Sequence, residues 1–584
     1  MTFLGEIKRR KVFQVAAVYA VVAWLTIQIV DVVGEPLNLP DWFDTFVIVL
    51  FAVGFPIAVI LAWAFDVTPE GIVRMEGGEM SAPSSGRNIE YVLIALLVVA
   101  VGTLMYREFG PSNIATETDI VLQNSIAVLP FENLSPDPEN DYFAAGIHEE
   151  ILNQLVKLRS LNVIARTSVL QYAGAARPIT EIARELSVGT VMEGSVSYAD
   201  GRVAVSAQLI DAATGVHLWS ERYNREFSDV FSIQFDIATN IANALEAEFS
   251  VEEQESLQER PTDSIEAYAL YLHAISFSSA VNADHLSQAI TLDPGFALAY
   301  TARAHTYIQN LLGITGANRD QAAEFERLAR ADAQRALDLD PMLARAHAAL
   351  AAVHYANWRA AEAEDAFELA YQLSPDAELL REYGRFKRYR GDFDGAIQLQ
   401  RQGYRLDPNN ENLYYQLGLS YRAGGYYGEA EAIFRQLLEM NRTNIVAYLQ
   451  LGRVAANQGN REEALRNLRL AESLWEGIAL NPFRIAQLMV AYSEAGSLND
   501  ARRWFDTLQD IGRETPVGDA IWARAYVALG EEEPALLHIR AAVSERTPTD
   551  LPTLSEMATG VASDPLMNKP EFRELLGNLW DQSR

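Results

Sequence analysis

The 584 residues leave room for about four domains at ~150 residues each, so length sets no tight bound on the chain. With 49% hydrophobic and 21% charged residues, most of it folds, which excludes a disordered or collagen-like polypeptide. A formal net charge of -31 argues against nucleic acid as a partner, because phosphate binding needs a basic surface, and zero cysteines exclude disulfides, thiolate nucleophiles and cysteine-held metals.

Residues 1–110 hold 7 Lys/Arg and 11 Asp/Glu, so the acidic excess belongs mainly to the rest of the chain. Three apolar runs here predict transmembrane helices over 12–33, 45–65 and 90–106, since a bilayer core of ~30 Å asks for about 20 apolar residues. The third run is the shortest. Lys8, Arg9, Arg10 and Lys11 precede the first run, and the loop 34–42 has no basic residue, which places the N-terminus in the cytoplasm. Three spans would put the C-terminal domains in a bacterial periplasm, anchored to the inner membrane with the lipid bilayer as a partner. Two spans would leave them in the cytoplasm. No charge sits mid-span, Asp31 and Glu90 lying at the ends of their runs, so an ion pathway is not expected. Residues 111–123 read as a linker.

A central α/β (α+β) domain is expected over 124–250. Ser125–Phe131 reads as a buried strand, Tyr142–Leu158 has helical apolar spacing, and Leu161–Ala165 returns to strand character. A helix over 179–186 is followed by strands at 190–198, 202–211 and 217–223, the first two joined through Asp200-Gly201, a hairpin signal. A long helix over 230–249 completes the unit. The segments SIAVLPFENLSPDPENDYFAAGIHEEILNQL, LNVIARTSVLQY and VGTVMEGSVSYADGRVAVSAQLIDAATGVHLWSERYNREF resemble the TolB-like amino-terminal domain of bacterial envelope and signalling proteins. In that family the domain sits beside a winged-helix or nucleotide cyclase domain, with tetratricopeptide repeats after it. The family often has Asp before the Gly of the first helix, where this chain has Ala145 before Gly146, and that weakens a binding role for the turn.

Beyond a linker at 251–263, similar words recur: LDP at Pro294, LDP at Pro341, LSP at Pro375 and LDP at Pro408, with spacings of 47, 34 and 33. Tyr414, Leu417, Gly418, Tyr421, Ala430 and Phe434 occupy the packing positions of a tetratricopeptide repeat, and Tyr448, Leu451, Gly452, Ala464 and Leu468 repeat them. About eight helix pairs are expected over 264–545, with an insertion near Leu312–Gln321. Residues 546–584 form an extension whose segment Glu571–Leu579 reads as a capping helix. The expected architecture is therefore multidomain: N-terminal transmembrane helices, a central TolB-like α/β domain and a C-terminal all-α tetratricopeptide-repeat solenoid.

No phosphate loop, dinucleotide fingerprint, nucleophile elbow or zinc-protease motif occurs, so neither catalytic residues, a cofactor, a metal nor a small-molecule substrate is expected. His148-Glu149-Glu150 reads as a solvated helix face. One constellation stands out in an acidic background. By resemblance, the first helix of each repeat lines a concave groove, and this places Arg381, Arg385, Arg388 and Tyr389 towards a ligand, with Arg345, Tyr355, Asn412, Tyr415, Arg422, Arg453 and Asn457 at equivalent places. Arginine offers a planar donor fork to carboxylates, so an acidic peptide or a C-terminal carboxylate is the expected partner. Against this stands the reading that the arginines only pair with neighbouring acids. The preferred function is a non-catalytic interaction scaffold. The alternative is a regulatory component whose repeats sense a ligand and signal through the membrane region to a separate cytoplasmic effector.

Overall fold

A computed structural model describes residues 122–584, apart from 138–139, 175–176, 248–249, 277–281, 314–318, 476–477, 479–480, 560–564, 578 and 580–584. Of the earlier part it describes residues 19, 22–24, 26, 65–68 and 71–74. The chain divides into two compact units, Met1–Ala115 and Thr116–Arg584.

The first unit corrects the expected fold class. Among the described residues no helix is long and apolar enough to cross a membrane. Nearly all of the three apolar runs, the basic run 8–11 and the linker 111–121 lie outside the described residues. The end of the second run, moreover, is not helical. Phe65 opens strand β1 (Phe65–Thr68), which pairs antiparallel with β2 (Gly71–Arg74), Phe65 lying opposite Arg74. The alternation of Phe65 and Val67 with Asp66 and Thr68 has the period of a strand, and this overrides the apolar count that assigns Phe65 to the end of a span.

The second unit is mostly helical. Its N-terminal part is a sheet of β3 (Leu122–Val128), β4 (Glu132–Asn133), β5 (Asn162–Val163), β6 (Val188–Ala199), β7 (Arg202–Asp211) and β8 (His217–Glu226). The order is β5-β3-β6-β7-β8, with β4 beside β6; the pairings of β3, β4 and β5 are parallel, and β6, β7 and β8 are antiparallel. Asp200 and Gly201 both take positive φ, 51° and 74°, the twist that a two-residue hairpin needs. Helices α1 (Asp141–Val156), α2 (Arg166–Val169), α3 (Ile179–Leu186) and α4 (Val230–Ala244) cover both faces of the sheet. Period-two alternation divides the strand residues between them. Ile126 and Val128 enter one core with Ile147, Ile151 and Ile237, while Ala127 and Leu129 enter another with Val169, Ile182 and Leu186.

The expected linker at 251–263 contains helix α5 (Val251–Gln258), whose Ser250 and Glu253 form a reciprocal cap. Eight helix pairs follow: α6/α7 (Ile265–Ser276, Asn282–Leu292), α8/α9 (Ala297–Gly313, Arg319–Leu339), α10/α11 (Ala344–Ala356, Ala360–Leu373), α12/α13 (Ala377–Tyr389, Phe393–Leu406), α14/α15 (Glu411–Ala423, Tyr427–Met440), α16/α17 (Ile445–Asn457, Arg461–Trp475), α18/α19 (Pro482–Glu494, Leu498–Glu514) and α20/α21 (Asp519–Leu529, Glu532–Glu545). Then come α22 (Leu551–Thr559) and α23 (Pro570–Gly577). Small residues set the repeat. A Cβ on Gly418 would stand 2.5 Å from the Phe434 ring, and one on Gly452 2.7 Å from Leu468, so paired helices meet at these glycines.

Two features position the site. The core under the sheet runs on into α6 and the start of α8 through Tyr268, Tyr271, Leu272 and Ala299, so the α/β layer and the first repeats share one apolar interior. At the other end, Leu551, Leu554, Met557 and Phe572 of α22 and α23 share a core with Tyr355, Trp358, Phe367 and Phe386. The indole Nε1 of Trp358 donates to the carbonyl of Thr547 at 3.2 Å. The later repeats therefore fold back, and α22 packs against α12.

Candidate functional site

Closure brings the inner faces of alternate helices together. Arg388 of α12 and Arg422 of α14 lie in the last turns of their helices, where the carbonyl ends of the backbone favour a cation. Arg453 of α16 and Arg524 of α20 join them, and Glu494 of α18 and Glu556 of α22 supply the acids; the four arginines are at most 9% exposed. Glu494 accepts two bonds from Arg453, Nε to Oε2 at 2.8 Å and Nη2 to Oε1 at 2.7 Å. Glu556 accepts from Arg524 Nη2 at 2.7 Å and lies 3.9 Å from Arg388 Nη1. Arg388 Nη2 also donates to Gln416 Oε1 at 3.0 Å. For the Arg422 side chain no ion pair or hydrogen bond is found among the described residues, and its Nε is buried without an acceptor there.

The electrostatics follow from that imbalance of four cations against two anions. Burial alone would raise both glutamates. The surrounding arginines together outweigh it, Arg453 foremost for Glu494 and Arg524 foremost for Glu556, and hold the carboxyls below their ordinary range. Burial and then the neighbouring Arg453 push Arg422 down to about 10, so it still carries its charge at neutral pH. Unpaired buried charge of this kind costs folding free energy. It persists only where something compensates it.

The predicted groove residues separate into four groups. Arg388, Arg422 and Arg453 converge, and Tyr389 lies beneath Arg388, whose guanidinium is 4.7 Å from the ring centroid. Tyr355 stacks on Tyr389 at 5.8 Å, and burial raises both phenols. Tyr415 is half-buried, close enough to Arg453 to act on it electrostatically. Arg381 pairs instead with Glu378 at 2.6 Å and Glu382 at 2.7 Å, and Arg385 also pairs with Glu382, so these two are satisfied within their own helix. Arg345 leaves the groove altogether, pairing with Asp376 at 3.0 Å and Glu149 at 4.0 Å. Asn412 is exposed in the first turn of α14, where Asn410 caps its backbone N–H; Asn457 is half-buried, with no partner for its Oδ1 among the described residues. Sequence reasoning misses Glu494, Arg524 and Glu556. Their only local signal is a charge on an inner helix face, which a solvated surface gives equally well.

The solvated reading of His148-Glu149-Glu150 is corrected. His148 and Glu150 are buried, because α1 lies between the sheet and α6. His148 Nε2 is 2.9 Å from the Val128 carbonyl of β3, and burial pushes its pKa down to about 4. Glu150 accepts from Tyr271 of α6 at 3.2 Å and from Asn153 at 2.8 Å, and burial raises it. A second junction forms at Asp407, whose carboxylate accepts from Ser168 at 2.6 Å and from Thr167, while Ala165 N–H donates to the Leu406 carbonyl at 2.7 Å. The LDP word at Pro408 thus ties α13 to the α/β layer. A separate cleft of about 550 Å³ between α17 and α19 is lined by Trp475, Ile478, Trp504 and Ile511, and shares no residue with the arginine cluster.

Residues 411–444, the α14/α15 pair, match the tetratricopeptide repeat family, and the chain contains such repeats. A curated protein of Rhizobium meliloti (strain 1021) named putative adenylate cyclase 3 is 37% identical over 254 residues, 41% of this chain and 42% of that protein. The chain thus matches less than half the length of that relative. Among solved structures, YrrB, titled a TPR protein with an unusual peptide-binding site, is 23% identical at a TM-score of 0.27, covering 34% of this chain and 95% of its own. The type IV pilus biogenesis factor PilW is 19% identical at a TM-score of 0.31, over 37% of this chain and 92% of its own.

Proposed function

We propose that this chain is a non-catalytic protein-interaction scaffold whose repeats hold an acidic segment or a terminal carboxylate of a partner. The observation that carries the reading is the set of four buried arginines facing two glutamates across α12, α14, α16, α18, α20 and α22. Guanidinium forks suit carboxylates, and the low dielectric of the interior strengthens each contact. The α/β layer, which resembles a TolB-like domain in its wording, shares its core with the first repeats and so forms a second, rigidly joined surface for another component. Holding two components together raises the local concentration of each for the other.

The experiment is a fluorescence anisotropy titration of acidic peptides with free C-termini against the same peptides amidated and with their acids replaced by amides. Tighter binding of the acidic set, weakened by Arg388→Gln, supports the reading; equal affinities for both sets overturn it. A second reading draws on the likeness to a putative adenylate cyclase. There the chain is a regulatory component that binds a ligand through its repeats and acts on a separate effector. It requires cyclase activity in a co-purifying partner that changes when this chain is removed.

A further inference from the structure

The arginine cluster is incomplete as it stands. Arg453 is matched by Glu494 in a two-bond fork, and Arg524 by Glu556. Arg388 has the far side of Glu556, at 3.9 Å, the neutral amide of Gln416 and the face of the Tyr389 ring, with no close carboxylate among the described residues. The Arg422 side chain has neither an ion pair nor a hydrogen bond among the described residues, yet it is only 9% exposed and stands within the field of Arg453 and Arg388, which Glu494 and Glu556 offset only in part. The Nε atoms of Arg388 and Arg422 and the Nη1 of Arg524 are all buried without acceptors among the described residues. Buried arginine donors ordinarily find acceptors, because leaving one unmade costs the desolvation of a charged group. Several unmade donors on three helices, aimed into one interior with surplus positive charge, describe a place made for an anion.

We propose that Arg422, with Arg388 and Arg453 beside it, forms a buried site for one oxyanion group, a carboxylate or phosphate, whose binding locks α22 against α12. The claim rests on the acidic-partner reading for the source of the group in a complex, but the site itself does not depend on a peptide. The oxyanion supplies the acceptors that the Nε atoms lack and offsets the surplus charge. It also neutralises the repulsion between helices that closure brings together, so it stabilises the closed arrangement.

The test is a thermal unfolding series of the full chain in sodium phosphate and in sodium acetate, each against sodium chloride at matched ionic strength. Saturable stabilisation by phosphate or acetate is expected, and Arg422→Gln should weaken the apparent affinity about tenfold or more, the loss of one charge-assisted bond. Because Arg422→Gln removes an uncompensated buried charge, the variant should unfold no lower than the parent in chloride. Arg388→Gln should show the same loss of anion response, which keeps the test open should Arg422→Gln fold poorly. Arg435→Gln, altering an exposed arginine paired with Glu431 on α15, should respond as the parent does. Equal anion stabilisation in parent and both cluster variants, or none in the parent, overturns the site. Phosphate and acetate shifts of different size tell the two chemistries apart. Loss of the anion response at Arg422 without any preference for acidic peptides would leave this site standing and overturn the scaffold reading instead.

Discussion

At the scale of single residues, the three consecutive polar side chains of α1 show how little sequence distance says about environment. His148 faces β3, Glu150 faces α6, and Glu149 pairs with Arg166 at 3.7 Å and Arg345 at 4.0 Å. The titrations of His148 and Glu150 oppose one another. A base whose folded pKa is about 4 is protonated in the unfolded chain first, so the contribution of His148 is present above about pH 6.5 and is lost as pH falls towards 4. The integral over that window is ~3 kcal/mol. Glu150, raised by burial, works the other way: its contribution is present at low pH and lost as pH rises through its folded value. His148→Gln isolates the contribution of the imidazole. Its stability deficit relative to the parent, measured by urea unfolding, should narrow by roughly 2–3 kcal/mol between pH 7 and pH 4.5, and a constant deficit would refute the assignment. Asp407 is the second sensitive residue. Asp407→Ala removes acceptors from Ser168, Thr167 and Asn410 in a buried junction and should cost ~2–4 kcal/mol, with faster hydrogen exchange over residues 165–172 as the local sign.

At the scale of elements, the packing of α1 on α6 depends on one glycine. A Cβ at Gly146 would stand 2.8 Å from the Leu272 Cβ, so Gly146→Ala should force the helices apart at a cost of ~1–3 kcal/mol despite the better helix propensity of alanine, as read by thermal unfolding. This explains the Gly of the resembling segment by helix approach rather than by ligand binding. Elements of this local kind are legible in the sequence. The Asp200-Gly201 hairpin follows from positive φ, and the repeats from small and large residues at fixed spacing, since both causes act within a few tens of residues. Where the causes are weak or distant, reading fails. Helix α5 passes for a linker because its sequence is polar apart from Val251 and the buried Leu257, too few for an apolar stripe, although the Ser250 and Glu253 cap is a local signal that points to it. Phe65, the first residue of the strand Phe65–Thr68, passes for the last residue of a span because hydropathy counts residues without their pairing partners. Arg345 passes for a groove residue because periodicity fixes its helix face and says nothing of Glu149, which comes from the α/β layer.

At the scale of the second unit, closure converts a repeat array into an interior. The inner faces of α12, α14 and α16 would be a solvated groove in an open solenoid, and their arginines would be screened. With α22 packed on α12, the same arginines share a buried space with Glu494 and Glu556, and the charge imbalance acquires a cost and a use. Glu556 lies far along the chain from Arg388, which is why no repeat pattern announces their meeting. The apolar anchor of the closure is Trp358, 1% exposed, with Tyr355 and Phe386 in the same core as Leu554 and Met557. Trp358→Ala opens a cavity at that joint and should cost ~3–5 kcal/mol. Its distinguishing effect is where the protein loosens. Hydrogen exchange should accelerate in α22, some two hundred residues away in sequence, as well as in the adjoining α10 and α11. An array held only by neighbour contacts would confine the change to the repeats flanking Trp358, and protection of 551–559 would be unaltered. Trp358→Phe separates packing from polarity, because it keeps most of the apolar volume while removing the bond to the Thr547 carbonyl, and should cost no more than ~1–2 kcal/mol. If anion occupancy of the arginine cluster locks the closure, phosphate should slow exchange in α22 of the parent and do so far less in Trp358→Ala, linking the apolar joint and the charged interior in one equilibrium.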